Sequence, residues 1–486
     1  MKKTLSEKLF KEKCFINGEW VNADSGQKDE ITNPSDLSIL GSVPRMGEAE
    51  TTRAVEAANE AFKVWQAKTG KERSIILRKW FDLIMSHQED LATILTMEQG
   101  KPHAEAKGEI AYAASFIEWF AEEAKRVNGD ILPSPLPGKK IVILKQPIGV
   151  VAAITPWNFP AAMITRKCAP ALAVGCPVVI KPAPDTPFTA LALCELSLEA
   201  GFPPGVINCV TGDAVAIGKI LTSHPLVRKL TFTGSTGIGK LLLSQCASTV
   251  KKVSLELGGN APFIVFEDAD LDEAVKGAMI SKFRNTGQTC VCTNRFFVHE
   301  KVYDTFCQKL KAVVSNLKIG DGFEEGVEQG PLINMNAVKK IESHIADAKE
   351  KGAKVLIGGK RIGDKGTFFE PTIITGVTSD MMVTQDETFG PLAAIIKFND
   401  EDEVIRLAND TPYGLAAYFY SKDLGRVWRV SESLEYGMIG VNEGMISNEI
   451  APFGGVKESG LGREGSKYGT DDFLEIKYIM MGGLEK

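Results

Sequence analysis

A chain of 486 residues, 44% hydrophobic and 24% charged, has ordinary globular composition and is too long for one core of typical size, so two or three domains are expected. With 56 basic against 62 acidic side chains the net charge is −6, which argues against nucleic acid or an anionic membrane as the main partner and for a small-molecule enzyme. The nine cysteines show neither the repeated CxxC pairs of a metal site nor the density of a secreted scaffold, so no metal is expected, the thiols are read as reduced and the compartment as cytoplasmic.

The first residues, Met1-Lys2-Lys3-Thr4-Leu5-Ser6-Glu7-Lys8, hold no apolar core, so no secretory signal is read there. Val55, Ala58, Phe62 and Trp65 recur at helical spacing over 48–66, and Leu77, Phe81, Ile84 and Met85 continue that pattern over 73–99. Gly129, Pro133, Pro135, Pro137 and Gly138 break it, so 128–140 reads as a connector. The stretch 146–165 is uncharged and long enough to span a membrane, but Pro147, Pro156 and Pro160 would leave backbone groups unpaired in lipid. It reads instead as a buried strand followed by a loop, and no membrane partner is expected. Short apolar runs at 149–155, 177–180, 206–210, 229–232 and 253–257 alternate with helical stretches, the pattern of a parallel, Rossmann-like sheet. A second alternation follows Gly259, with strands expected at 262–266, 296–299, 353–357 and 392–398. The segments 140–145 and 472–480 are both strand-like.

The chemistry-bearing residues fall between these elements. Glu256-Leu257-Gly258-Gly259 precedes Phe283-Arg284-Asn285-Thr286-Gly287-Gln288-Thr289-Cys290-Val291-Cys292, which together supply a thiol nucleophile and a carboxylate able to activate water. Gly234-Ser235-Thr236-Gly237-Ile238-Gly239 puts glycines where a strand turns into a helix, where free N–H groups and the helix dipole favour a pyrophosphate. Lys181 ends a strand and so belongs at the carboxyl edge of the sheet. Taken singly, each has an ordinary reading as a buried cysteine, a turn or a surface lysine. Arg166 and Arg284 beside these motifs suit an anion, and on the residues alone a structural ion pair and a substrate carboxylate fit each equally well. The five histidines, His87, His103, His224, His299 and His344, lie outside every motif, so a Cys-His hydrolase would leave the nucleotide signals unexplained.

With Pro156-Trp157-Asn158-Phe159-Pro160, Lys181-Pro182-Ala183, Glu387-Thr388-Phe389-Gly390-Pro391 and Pro452-Phe453-Gly454-Gly455 in the same order along one chain, this set resembles the NAD(P)-dependent aldehyde dehydrogenase family over nearly the whole length. The resemblance implies an α/β fold with a Rossmann-like cofactor domain (1–128 and 149–257), a second α/β catalytic domain (258–469) and a small oligomerisation β-sheet (129–148 and 470–486), in a homodimer or homotetramer. It implies Cys290 as nucleophile, Glu256 as base and Asn158, with the Cys290 N–H, as donors to the oxyanion. For the dinucleotide it implies Thr155, Trp157, Lys181, Pro184, Gly234, Ser235, Leu257, Glu387 and Phe389. Pro184 stands where NAD-preferring members often carry an acidic residue, which favours NADP, with NAD possible; the neighbouring Asp185 works against that preference. Arg166, Arg284 and Ser447 agree with the carboxylate-anchoring set of the succinate-semialdehyde dehydrogenase subgroup, which implies oxidation of succinic semialdehyde in 4-aminobutyrate breakdown, with glutaric semialdehyde the nearest competitor. Cys292 matches a second cysteine of that subgroup, and is open both to a reversible disulfide with Cys290 and to a plain packing role. An idle, non-catalytic relative and a CoA-acylating dehydrogenase are the other readings; the presence of Glu256 speaks for hydrolysis.

Overall fold

The computed structural model describes residues 6–484. The reading made on Met1 to Leu5 and the last two residues of the expected oligomerisation segment, Glu485 and Lys486, lie outside the described residues.

Val150–Ile154 and Val178–Lys181 are short apolar runs rich in β-branched residues and buried along their whole length, as central strands covered on both faces must be. With Ile207–Cys209, Val227–Thr233 and Lys252–Glu256 they form the five parallel strands at the centre of an eight-stranded sheet. Helices Ala162–Val174 and Phe188–Ala200 pack against it, each stopped by a left-handed glycine, Gly175 (φ 106°) and Gly201 (φ 95°). Register brings the strand ends into line: Ile154 pairs with Lys181 and Phe232, and Thr233 pairs with Glu256. The carboxyl edge of this sheet, where open α/β folds bind ligands, therefore carries Glu256 beside Thr233, and Lys181 one strand further on, beyond Ile154.

From Glu256 the chain crosses through Gly258 and Gly259 into Ala261–Val265, a strand of a seven-stranded second sheet, where it lies parallel to Thr293–His299 and Ala416–Tyr420. Cys290 lies on the loop that enters Thr293–His299, and a Cβ at Gly259 would come within 2.5 Å of its carbonyl, so the segment leaving Glu256 runs against the loop that holds Cys290. A third, antiparallel sheet joins Asp130–Pro133, Lys140–Pro147 and Leu474–Met481, and it exposes Ile131, Ile476 and Tyr478.

Several sequence expectations change. The helix expected over 73–99 is two, Gly70–Ser86 and Gln88–Gln99, broken at His87. A further helix, His103–Glu123, fills most of the interval before the connector. The connector itself carries the strand Asp130–Pro133, with Pro133 at its last position, where a missing N–H costs least. Cys14–Ile16, Glu19–Val21 and Gly460–Leu461 extend the first sheet, the last pairing directly with Leu255 and Glu256. The uncharged stretch 146–165 is strand, loop and the first turn of a helix, and no described helix is long and apolar enough to cross a membrane.

Candidate active site

Strand Val227–Thr233 turns at Gly234 into helix Thr236–Cys246, and the Gly234 N–H donates to the Glu256 carbonyl (3.1 Å). A Cβ at Gly239 would lie 2.4 Å from a Leu257 methyl, so only glycine lets the helix sit this close to the strand end. Beside this turn opens a cleft of about 330 Å³ walled by Trp157, Ser235, Leu257, Glu387, Phe389 and, at its inner end, Cys290. Trp157 and Phe389 meet edge to face, ring centroids 5.4 Å apart. Glu387 accepts the Gly259 N–H (3.0 Å), and burial pushes its carboxyl up to about 7. Past Ile333 and Asn334 the cleft shares its wall with a groove of about 560 Å³ that holds Lys181, Pro184 and Asp185. Lys181 donates to the Pro182 carbonyl (3.1 Å), and burial lowers its pKa. Burial in turn raises that of Asp185. Thr155 lies behind this wall: its N–H bonds the Lys181 carbonyl (3.1 Å), and its buried hydroxyl has no partner among the described residues.

Cys290 follows a run of three left-handed residues, Asn285 (φ 50°), Thr286 (φ 57°) and Gly287 (φ 71°). Two of them are not glycine, which costs roughly 1–2 kcal/mol each, so the surroundings must impose the shape. They do: the Asn285 N–H donates to Glu105 (3.0 Å), the Thr286 hydroxyl to the Gly330 carbonyl (3.1 Å), and a Cβ at Gly287 would strike the Gly390 carbonyl at 2.3 Å. Burial pushes the Cys290 thiol up to about 12, with Arg166 and Arg284 pulling the other way. Asn158 is held at its side chain and carbonyl by four hydrogen bonds. Its Nδ2 donates to the Gln288 carbonyl (3.0 Å), its Oδ1 accepts the Phe159 N–H (3.1 Å), and its own carbonyl accepts from Lys101 Nζ (2.8 Å) and Asn285 Nδ2 (3.0 Å). Cys292 is a free thiol whose Sγ donates to the Lys282 carbonyl (3.2 Å), and it lines neither cavity.

Glu256 ends its strand buried, with Oε2 unpartnered among the described residues. Burial, then Glu464, raises its pKa well above the usual carboxylate range. Its carboxylate lies beneath the walls of both cavities rather than in them, close to Gly454, whose added Cβ would come within 2.9 Å of Oε1. Glu464 stays ionised: burial opposes its charge, but Lys167 and Arg166 overcome that, the latter at 2.5 Å.

On the far side of Cys290 and Asn158 a small chamber of about 20 Å³ is lined by Arg166, Arg284, Ser447, Tyr112, Phe159 and Phe453. Arg166 is ion-paired to Glu464, lies over the Phe453 ring (3.9 Å), and still borders the chamber. Arg284 forms no ion pair within 4 Å among the described residues; Nη1 reaches Met445 Sδ (2.8 Å) and the guanidinium stands over Phe159 (5.4 Å). No cluster of metal-ligating side chains occurs among the described residues.

Sequence reasoning missed one whole support. Helix His103–Glu123 turns Glu105, Glu109 and Tyr112 toward the site: Glu105 holds the loop before Cys290, Glu109 accepts the N–H groups of Ala161 (2.9 Å) and Ala162 (3.4 Å), and Tyr112 lines the chamber. Their spacing of four and three residues is the signal that could have exposed this face. Asn334 and Lys340, on the cleft wall, carried no comparable signal.

A family model described as the aldehyde dehydrogenase family matches residues 20–479. The chain belongs to that family. Among aldehyde dehydrogenases it is similar to glutarate-semialdehyde dehydrogenase of Pseudomonas aeruginosa, at 62% identity over 98% of this chain and 99% of that protein. It is equally similar, 62% over 98% of both chains, to the NADP(+) succinate-semialdehyde dehydrogenase of Escherichia coli. The crystal structure of succinate-semialdehyde dehydrogenase from Burkholderia pseudomallei superposes with a TM-score of 0.98 at 64% identity, covering 98% of this chain and 99% of that one. The expected α/β aldehyde dehydrogenase fold is thus shown.

Proposed function

We propose that this aldehyde dehydrogenase oxidises a short aldehyde ending in a carboxylate, succinic semialdehyde first and glutaric semialdehyde second, as in 4-aminobutyrate degradation, with NADP preferred to NAD. The observation that carries the reading is that Cys290 belongs to both cavities: the glycine-turned cleft on one side and the arginine-lined chamber on the other.

A trigonal aldehyde carbon has no pair with which to expel hydride, so the Cys290 sulfur first adds to it, making a tetrahedral thiohemiacetal. The Asn158 amide and the Cys290 N–H are the donors read for its oxyanion; loss of one such donor typically costs about 3 kcal/mol of barrier. When bound, a nicotinamide dinucleotide supplies the hydride acceptor. Trp157, Leu257, Glu387 and Phe389 form the walls for its reactive end, Gly234 and Ser235 the turn for its phosphates, and Lys181 with Pro184 the groove for its adenosine ribose, with Thr155 supporting from behind. The start of helix Thr236–Cys246, where Ser235 makes no side-chain cap, fits a pyrophosphate. Oxidation leaves a thioester on Cys290. Glu256 takes a proton from water, the hydroxide adds to the acyl carbon, the C–S bond breaks, and the acid leaves as its carboxylate.

Arg284, Arg166 and Ser447 supply the anchor for the distal carboxylate. Arg284 is the stronger candidate, since its charge is not already spent on an ion pair. An ammonium at Lys181 and no acid at 184 favour a 2′-phosphate, in line with the NADP(+) relative, and Asp185 moderates that preference. One extra methylene is worth only about 1–3 kcal/mol, so two relatives can share this chamber and differ in substrate. Assignment of 1–128 with 149–257 to cofactor binding, 258–469 to catalysis, and 129–148 with 470–486 to assembly of a homodimer or homotetramer in the cytoplasm completes the reading. The apolar side chains exposed on the third sheet support the last of these. Cys292 is proposed as partner of Cys290 in an oxidative off-switch.

The test is kinetic. Arg284→Ala should lower kcat/KM for succinic semialdehyde about 10- to 100-fold, the worth of a charge-assisted hydrogen bond, and change uncharged butanal little. Equal losses on both aldehydes, or faster turnover with NAD than with NADP, would overturn the corresponding part of the proposal.

A further inference from the structure

Lys101 and Glu109 form an ion pair at 2.5 Å with both side chains only 1% exposed. Burying two charges is expensive, and the pair earns nothing from water, so its remaining bonds indicate its use. Glu109 spends its second oxygen on the N–H groups of Ala161 and Ala162, at the start of the helix that carries Arg166. Lys101 spends its remaining reach on the Asn158 carbonyl (2.8 Å), with its ammonium 3.9 Å from the centre of the Phe159 ring.

That carbonyl belongs to the same peptide unit as the Phe159 N–H, and the Phe159 N–H donates to the Asn158 side-chain Oδ1 (3.1 Å). The bonds run in one direction: ammonium to carbonyl, N–H of that peptide to amide oxygen, amide N–H outward. Each polarises the next, and in a buried, low-dielectric setting the strengthening is cumulative. One Asn158 amide hydrogen is taken by the Gln288 carbonyl, which leaves the other for the oxyanion.

We propose that the Lys101–Glu109 pair is a positioning device for the oxyanion donor, aiming the Asn158 amide and sharpening its acidity through the 158–159 peptide. The proposal rests on the reading of Asn158 given above. It assigns no contact between Lys101 and substrate or dinucleotide.

The test is a double-mutant cycle on the full-length protein. Lys101→Met/Glu109→Gln removes both charges together, so no unpaired charge is left buried, and it is expected to lower kcat/KM about tenfold through the weakened donor. The affinity for NADP, read from quenching of tryptophan emission, should stay within about twofold, because neither Lys101 nor Glu109 lines the cleft. In an Asn158→Ala background, itself expected to be about a hundredfold slower, the same double change should cost less than about threefold. Should the double variant fail to fold, Asn285→Gly removes the second donor to the same carbonyl, keeps the left-handed backbone, and should show a smaller loss that likewise disappears in Asn158→Ala. A loss that persists undiminished in the Asn158→Ala background, or an unchanged kcat/KM, overturns the proposal alone. Full activity of Asn158→Ala overturns the oxyanion reading and this proposal with it.

Discussion

The two cavities that meet at Cys290 are built in different ways. The frame of the cleft is backbone, with strand ends brought into line by register, a glycine turn, and a helix packed on Leu257 through the bare Cα of Gly239, while Trp157, Glu387 and Phe389 supply its walls. The chamber is made from side chains, gathered from helix His103–Glu123, helix Ala162–Val174, the loop before Cys290 and the segment around Ser447. A backbone frame tolerates change at most side chains. A side-chain site is re-aimed by single substitutions.

If the two cavities are joined only through the thiol, Cys290→Ser should break the enzyme most: turnover should fall on the order of 10⁴-fold while dinucleotide affinity is kept, measured by absorbance at 340 nm and by binding. Loss of both properties together would mean that the cleft also depends on the sulfur. Glu256→Gln should separate the two half-reactions. One equivalent of reduced cofactor should appear in a burst, followed by steady turnover reduced about 100-fold or more, with the thioester visible by mass spectrometry. Undiminished turnover removes Glu256 from the mechanism.

The smallest effect concerns pH. With the thiol pushed up to about 12 by burial, the protein without nucleotide holds Cys290 protonated at neutral pH. Alkylation by iodoacetamide tracks the thiolate fraction, so its rate at Cys290 should rise about tenfold for each pH unit between about 7 and 9. A plateau above pH 8 would show that Arg166 and Arg284 outweigh desolvation.

Legibility followed the same division. The strands of the parallel sheet, the turn at Gly234 and the placement of Lys181 and Glu256 at strand ends were readable, because period, glycine spacing and strand-end chemistry are local properties of the chain. Helix His103–Glu123 was passed over although Ile110, Phe116, Ile117 and Phe120 mark its buried face: the rest of that face is alanine, which weakens the periodic signal, and carboxylates at helical spacing such as Glu105 and Glu109 normally mean solvent. Here they are caps and an ion pair. Arg166 was legible as a cation in want of an anion but not as the partner of Glu464, nearly three hundred residues away.

By itself, then, the sequence determined which residues carry chemistry and which elements present them, since hydrogen-bonding capacity, backbone freedom and hydrophobic period belong to each residue and its neighbours. Only the tertiary structure decided which charges are already neutralised, which thiol reaches a cavity, and what stands behind Asn158. Those depend on distances between segments far apart in the chain, and on the low dielectric that exists only once the segments have packed.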